Sequence, residues 1–357
     1  MQWDLFCRVV DNYGDVGFAW RLAADLAGRG ECVRLCIDDA SALAWMAPGG
    51  APGLDVIPWH RAVDACTSGR SADVVVETFG CGLPDGLVAD MARRRAPPVW
   101  INLEHLSAEA FVHRSHGLPS PRPAVAGQVL TQWYFYPGFS ATTGGLLRES
   151  DLAGRRAAFD RDAWLAARIA PALQRRDEER VVSLFCYDNP ALPGLLSRLA
   201  EEPTLLLSTP GAAARQVEQF LGPALRLGSL RALKLPLLTQ PDYDHLLWAC
   251  DLNLVRGEDS FVRAHWAGSP LLWQPYPQDD GASAVKLRAY LDRFLDGAPA
   301  PLQKSVRAAF KAWNGLAAWG PLPALPQWRA QCAAWCSRLE AQPDLTTALQ
   351  AFALSKC

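Results

Sequence analysis

The chain has 357 residues, which at about 150 residues per domain predicts two domains. Half of the residues are hydrophobic and a fifth are charged, a composition that is typical of globular proteins and excludes a largely disordered or fibrous chain. The 35 basic residues nearly balance the 37 acidic ones, and a net charge of −2 excludes a general attraction for nucleic acid.

The cysteines and the N-terminus indicate the cellular compartment that we expect for the protein. No basic segment with a cleavage site precedes the first predicted strand, and no apolar run reaches the roughly 18 residues needed to span a bilayer. The ten cysteines are scattered and form no CxxC pair, which argues against zinc and against a disulfide framework. We therefore expect a cytoplasmic protein with no membrane partner and no bound metal.

Short β-branched runs alternate with helical patterns along the first 150 residues. The sequence predicts strands at 4–10, 33–37, 54–59, 73–78, 99–103 and 128–136. A helix is predicted over 16–28, directly after the first strand. This alternation favours βαβ units and a parallel sheet.

The same alternation restarts in the second half, after a charge-rich connection at 151–179 with helical spacing around 164–173. Strands are predicted at 181–187, 204–208, 225–230, 252–255 and 271–274, and helices at 191–200, 211–221, 243–250 and 260–267. From 281 onward the pattern is helical, with proline-rich breaks at 298–301 and 321–326. The fold class is therefore α/β, with domains at 1–150 and 180–330 and a ligand site expected in the cleft between them.

Two acidic residues flank a glycine between the first strand and the first helix. Asp11 and Asp15 stand four residues apart, with Asn12, Tyr13 and Gly14 between them. The segment has only a GxxG pattern, and its carboxylates would repel a pyrophosphate, so it is not a dinucleotide fingerprint. One interpretation is general-base chemistry on a cationic or hydroxyl nucleophile. The other is structural, with Asp15 capping the helix and Asp11 closing an Asx turn.

A second polar segment, Arg256-Gly257-Glu258-Asp259-Ser260, follows a predicted strand of the second half. A glycine allows close backbone approach, and helix-start amides together with an arginine bind phosphate oxygens. The segment therefore predicts a pyrophosphate site, with the two acids turned toward hydroxyl groups. The alternative is that Asp259 or Ser260 only caps the helix.

A third segment could hold a nucleobase. Leu237 and Leu238 form an apolar wall that is followed by the amide of Gln240. The same pattern is also typical of a plain strand end and helix start. The Asp160-Arg161-Asp162 sequence matches a metal-binding DxD pattern but lies in the connecting helix, and His113 and His116 have no third ligand, so neither predicts a metal site.

Five separate blocks of the sequence identify a family. They are Val10–Gly17, Ile101–Ser107, Gly117–Ser120, Tyr136–Phe139 with Thr143–Glu149, and Val255–Arg263. In these blocks the chain resembles the bacterial elongation factor P arginine rhamnosyltransferases, the EarP family, nearly from end to end. Tyr13, His105 and Leu237 stand where other aromatic residues are expected, but these departures are mild because none of them removes a proposed catalytic group.

The resemblance implies a GT-B fold, in which two Rossmann-like domains face each other across a cleft. It assigns 1–150 to the acceptor side and 180–330 to the nucleotide sugar, and it implies that the C-terminal helix within 331–357 packs back on the first domain. It also implies transfer of rhamnose from dTDP-β-L-rhamnose to an arginine guanidinium of elongation factor P, with inversion and without metal or other cofactor.

Roles for individual residues come from the same resemblance. Asp15 would be the general base, with Asp11 supporting it or holding the acceptor arginine. The donor side would comprise Phe185, Tyr187, Leu237, Leu238, Gln240, Arg256, Gly257, Glu258, Asp259 and Ser260. Asn12, Tyr13 and Gly14 would lie on the acceptor side.

Two other functions remain compatible with the sequence. One is a metal-independent GT-B glycosyltransferase with a small-molecule or lipid acceptor, although no basic amphipathic helix for a lipid carrier is found. The other is a non-catalytic protein that binds elongation factor P, which would leave the two aspartates without a purpose.

Overall fold

The computed structural model describes residues 1–123, 128–169, 176, 178–277 and 281–356. The chain forms two compact units, one comprising 1–150 with 339–357 and the other 151–338. The predicted connection at 151–179 is therefore part of the second unit as far as it is described. Positions 170–173 of its predicted helix lie outside the described residues. None of the described helices is long and apolar enough to cross a membrane.

The first unit is built on one sheet, which has seven strands within the described ranges. These are β1 (Gln2–Cys7), β2 (Cys32–Ile37), β3 (Leu54–Pro58), β4 (Val74–Thr78), β5 (Val99–Leu103), β6 (Pro119–Pro123) and β7 (Val129–Phe135), in the order β3-β2-β1-β4-β5-β7-β6. Strands β1, β4 and β5 are buried along their whole length, as expected for central parallel strands covered on both faces. Only β6 runs antiparallel to its neighbour.

Six helices of the first unit connect or cover these strands within the described residues. They are α1 (Tyr13–Gly28), α2 (Leu43–Met46), α3 (Ala62–Thr67), α4 (Asp85–Arg93), α5 (Phe111–Ser115) and the last helix of the chain, α15 (Leu345–Leu354). Helix α15 packs into the core beside α1 through Leu345, Leu349 and Ala353. The ion pair between Arg29 and Asp344, at 2.7 Å, holds the start of α15 against the end of α1.

The second unit also alternates strands and helices, and its described part contains a six-stranded sheet. Its strands are β8 (Arg180–Leu184), β9 (Thr204–Ser208), β10 (Arg226–Leu227), β11 (Leu230–Lys234), β12 (Leu252–Arg256) and β13 (Leu271–Gln274), in the order β10-β11-β9-β8-β12-β13. Its helices are α6 (Leu152–Ala157), α7 (Arg161–Arg168), α8 (Leu192–Leu199), α9 (Ala212–Leu221), α10 (Gln240–Ala249), α11 (Asp259–Ala267), α12 (Ala282–Phe294), α13 (Ala300–Trp313) and α14 (Leu325–Glu340). The boundary at Leu339 leaves most of α14 in this unit, so the predicted C-terminal segment starting at 331 begins too early.

One strand prediction was wrong, and one strand was not predicted. The strand predicted at 225–230 is a hairpin, because Gly228 adopts a left-handed φ of 52° and the chain reverses between β10 and β11. The sequence also gave no sign of β6, since prolines lack an N–H group. The structure accommodates Pro119, Pro121 and Pro123 because β6 is an edge strand, and among the described residues no strand pairs with its outer side.

Candidate active site

Helix α1 begins at Tyr13, three residues earlier than predicted, so Asp15 lies in its first turn instead of in the preceding loop. Its Oδ2 accepts hydrogen bonds from the backbone N–H groups of Val10 and Asp11, both at 2.8 Å. Asp15 therefore binds the backbone of the loop before the helix, but it does not stand at the cap position that the alternative interpretation gave it, because that position is Asn12. A carboxylate has two oxygens, so the other oxygen of Asp15 can still accept a hydrogen bond or a proton.

Gly14 is required for the position of the Asp11 carboxylate. The backbone N–H of Gly14 donates to the carbonyl of Asp11 at 2.7 Å, closing a tight turn in which Asn12 has a left-handed φ of 37°. A Cβ atom at position 14 would lie only 2.8 Å from Asp11 Oδ2, closer than real Cβ atoms come. The absence of a side chain at Gly14 thus places the Asp11 carboxylate directly against the first turn of α1.

Aromatic rings adjoin this turn on two sides. Tyr13 makes an edge contact with Trp45, with ring centroids 5.1 Å apart. Phe18, one turn after Asp15, contacts Phe79, whose other neighbour is the exposed His105 in a parallel stack at 4.2 Å. Phe79 was not predicted as a site residue. In the sequence it stands between a predicted strand and two nearby glycines, a pattern that indicates only a turn.

Glu77 is a second residue that the sequence analysis missed. It lies near the carboxyl end of β4, is 3% exposed, and accepts a hydrogen bond from Trp100 Nε1 at 3.1 Å. Burial raises the pKa of its carboxyl to about 7. An acidic residue inside a strand gives no local sequence sign of such burial.

In the second unit, Arg256 ends β12 with its guanidinium between two aromatic rings. Its central carbon lies 4.4 Å from the ring centroid of Phe185 and 4.2 Å from that of Tyr187, and the residue is only 9% exposed. Stacking on aromatic faces stabilises a guanidinium that is partly removed from water. The structure thus brings together three of the residues predicted for the donor side.

The turn after Arg256 is fixed by hydrogen bonds. Gly257 has a left-handed φ of 61°, donates its N–H to the carbonyl of Gln274 at 3.0 Å, and accepts from Trp273 Nε1 at 2.6 Å. The Ser260 hydroxyl accepts from the N–H of Arg256 at 3.1 Å and donates to the carbonyl of the same residue. Ser260 therefore stabilises the turn itself.

Helix α11 begins at Asp259, and Glu258 occupies the cap position without a side-chain capping bond. Neither Asp259 nor Ser260 is the cap, so the alternative interpretation of this segment was wrong in that respect. The start of α11 is also tied to α10 by a buried bidentate ion pair between Arg263 and Asp244, at 2.9 and 2.7 Å. This pair joins the second turns of the two helices.

The third predicted segment is divided between surface and core. Leu237 is 49% exposed, whereas the side chain of Leu238 is buried in the core with Leu165 and Leu246. Helix α10 begins at Gln240, not at 243 as predicted, because Thr239 caps it by accepting from the N–H of Asp242 at 3.2 Å. Of the two leucines, only Leu237 offers its side chain to a ligand in solution.

The described residues contain no group of three or more metal-ligating side chains. The Asp160 carboxylate caps α7 by accepting from the N–H of Ala163 at 3.0 Å. The ring of His113 bonds to the Thr142 hydroxyl, and that of His116 accepts from the N–H of Tyr136. Asp160, His113 and His116 therefore each make a hydrogen bond within the protein.

Similarity to solved structures defines the class of fold. The glycosyltransferase VinC, solved in complex with dTDP, matches at a TM-score of 0.52 over the whole of both chains, at 14% identity. The glycosyltransferase SsfS6 matches at 0.54 over 98% of this chain and 99% of its own, at 11% identity. With its two Rossmann-like sheets, the chain therefore has the GT-B glycosyltransferase fold, as the sequence predicted.

More similar proteins define the family. The model of the family described as elongation factor P (EF-P) rhamnosyltransferase EarP matches residues 3–354. A protein-arginine rhamnosyltransferase of Pseudomonas aeruginosa is 43% identical, and one of Neisseria meningitidis serogroup B is 34% identical, each over at least 96% of both chains. A structure solved to explain EarP-mediated arginine glycosylation of EF-P matches at a TM-score of 0.67 and 30% identity, over 100% of this chain and 99% of its own. The chain therefore belongs to the EarP family of protein-arginine rhamnosyltransferases.

We predict that Gly14→Ala lowers the rate of rhamnosyl transfer at least about tenfold, because the new methyl group displaces the Asp11 carboxylate. Folding stability should change by no more than about 1 kcal/mol, the helix-propensity difference between the two residues. Transfer assays and urea unfolding measure the two effects. The control is Gly28→Ala, at the other end of α1, where a Cβ meets nothing within 4 Å. Equal rates for the two variants would contradict the prediction.

We also predict a pH-dependent gain in stability from Glu77→Gln. The unfolded carboxyl releases its proton near pH 4.5 and the folded one near pH 7, so the folded state binds more protons between these values and its stability falls as the pH rises. Glutamine removes this loss and retains an acceptor for Trp100. Urea unfolding at pH 8 should show a gain of up to about 3 kcal/mol, from about 1.36 kcal/mol per pKa unit, and a much smaller gain at pH 4.5. The exposed Glu201→Gln should show neither effect.

Proposed function

We propose that this enzyme transfers rhamnose from dTDP-β-L-rhamnose to the guanidinium of one arginine on elongation factor P, inverting the configuration at the anomeric carbon. Membership of the EarP family and the similarity to the structure concerned with EF-P glycosylation support the acceptor. The observation that carries the chemistry is the pair of carboxylates, Asp11 and Asp15, packed around Gly14 at the start of α1.

The acceptor explains why two acids are needed. A guanidinium has a pKa above about 12 and no free lone pair, so it has to lose a proton as it attacks the sugar. In this proposal Asp11 orients the guanidinium and Asp15 takes the proton. A C–N bond forms at the anomeric carbon while the C–O bond to the diphosphate breaks, and dTDP leaves with the electron pair.

The donor is assigned to the second unit. Arg256 and the first amides of α11 would take up the negative charge of the departing diphosphate, so the scheme needs no metal ion. Glu258 and Asp259 would face the sugar hydroxyls. Leu237 and Gln240 would border the thymine, with Leu238 supporting them from the core.

The partners follow from this scheme. The protein substrate is a translation factor, so the reaction would take place in the cytoplasm, without nucleic acid or membrane. The direct test is the intact mass of EF-P after incubation with the enzyme and dTDP-L-rhamnose in the presence of EDTA. A gain of one deoxyhexose, located on an arginine, is expected. No gain would contradict the acceptor, and a gain only without EDTA would contradict the metal-free scheme.

The role of Asp15 is tested separately. We predict that Asp15→Asn lowers turnover at least about a hundredfold, because the amide cannot take the proton, while dTDP affinity stays within about twofold. Single-turnover assays and calorimetric titration with dTDP measure these quantities. Asp85→Asn makes the same change in the first turn of α4 and should leave both unchanged.

If Asp15 only holds the loop, Asp15→Asn should lower the stability and leave the rate per folded molecule within about tenfold of the unsubstituted enzyme. That result would reject Asp15 as the base. Urea unfolding of the same preparations supplies the folded fraction that this comparison needs.

A further inference from the structure

The loop after β8 is held by two glutamine side chains from different elements. Gln274, the last residue of β13, accepts at Oε1 from the N–H of Tyr187 at 3.0 Å. Gln216, on α9, donates from Nε2 to the carbonyl of the same Tyr187 at 3.1 Å. Both backbone groups of Tyr187 are therefore bound by carboxamides that approach from two sides of the loop.

The same two carboxamides also bind the residues that follow. Gln274 donates from Nε2 to the carbonyl of Asp188 at 3.4 Å, and Gln216 accepts at Oε1 from the N–H of Asn189 at 2.7 Å. Each side chain thus acts as donor and acceptor at once. A carboxamide can do so because it carries an N–H donor and an oxygen acceptor without charge.

Gln274 also connects this loop to the turn that carries Arg256. In the parallel ladder, Gln274 is the register partner of Arg256, and its carbonyl accepts from the N–H of Gly257 at 3.0 Å. Its side chain binds the loop of Tyr187, whose ring lies 4.2 Å from the guanidinium carbon of Arg256. One residue therefore binds both the loop that carries the ring and the turn that carries the cation.

We propose that Gln274, assisted by Gln216, is a positioning residue for the nucleotide-sugar site, holding the Tyr187 ring against the Arg256 guanidinium so that the guanidinium is oriented toward a diphosphate before the donor binds. This inference rests on the proposed function of Arg256 as the diphosphate ligand. Loss of the glutamine hydrogen bonds to the Tyr187 loop should leave Arg256 in place but free to change its orientation. Binding of dTDP would then have to order the Arg256 guanidinium, and this cost would lower the affinity for dTDP.

The test is calorimetric titration with dTDP, which needs no acceptor protein. Gln274→Leu removes both side-chain bonds and should raise the Kd for dTDP about tenfold, and Gln216→Leu should raise it in the same direction. The matched control is Gln303→Leu, which removes a carboxamide bonded to the carbonyl of Ala298 elsewhere in the same unit. Its Kd should equal that of the unsubstituted enzyme.

A double-mutant cycle separates positioning from a general loss of structure. If Gln274 acts through the Tyr187 ring, Gln274→Leu should change the Kd by less than about twofold in a Tyr187→Ala background. The same tenfold increase in both backgrounds would overturn the inference. Unchanged dTDP affinity in folded Gln274→Leu and Gln216→Leu proteins would also overturn it. If Gln274→Leu does not fold, Gln216→Leu carries the same cycle.

The steady-state constants should agree with the titration. With EF-P as acceptor, the KM for dTDP-L-rhamnose should rise about tenfold in Gln274→Leu, while the KM for EF-P stays constant. Failure of the unsubstituted enzyme to bind dTDP would overturn the donor assignment itself and this inference with it. Binding of dTDP without transfer to EF-P would contradict only the acceptor and leave the positioning role to be decided by the titration.

Discussion

Arg256 carries a permanent positive charge at a position that is only 9% exposed, and much of the second unit's site follows from this constraint. A guanidinium removed from water has to recover the lost solvation from groups of the protein. The rings of Phe185 and Tyr187 provide part of this through their faces. Rings can do so only at a defined distance, so the backbone that carries them has to be rigid. The hydrogen bonds of Gln274 and Gln216 hold the backbone of Tyr187, and those of Trp273 and Ser260 hold the turn that carries Arg256.

In the first unit a single carboxylate combines a structural contact with the proposed proton transfer. Asp15 Oδ2 holds two N–H groups of the loop that contains Asp11, so the two acids are not independent. A substitution at Asp15 that removes the acceptor also releases Asp11. For this reason Asp15→Asn, which retains one carbonyl oxygen, tests the proton transfer better than Asp15→Ala does.

The parts of the fold that the sequence predicted well are those in which neighbouring residues decide the structure. Strands β5, β9 and β13 have the predicted bounds, because each is a short, mostly apolar run with polar or turn-forming residues at or beyond its ends. The starts of α1 and α10 were predicted three residues late. Asn12 and Thr239 determine them through backbone geometry and capping, which hydrophobic periodicity does not register.

The same distinction separates the site residues that were predicted from those that were missed. Asp11, Asp15 and Arg256 stand in short polar segments after strands, where their chemistry is visible locally. Gln274 acts on Tyr187, 87 positions earlier in the chain, and nothing around either residue indicates the partner. The burial of Glu77 likewise depends on Trp100 in the neighbouring strand. Such residues can be found only once the sheet order is known.

Backbone strain marks the ends of the strands that carry the site. Asn12, Phe79 and Gly257 all have left-handed φ values and lie shortly after β1, β4 and β12. Glycine adopts this conformation readily and asparagine tolerates it, but for phenylalanine it costs on the order of 1–3 kcal/mol. Phe79 is held in this conformation by its N–H bond to the Leu103 carbonyl, at 2.7 Å, by stacking on His105 and by a tilted contact with Phe18. Because Phe18 lies one turn after Asp15, the strained residue supports the face of α1 that carries the proposed base.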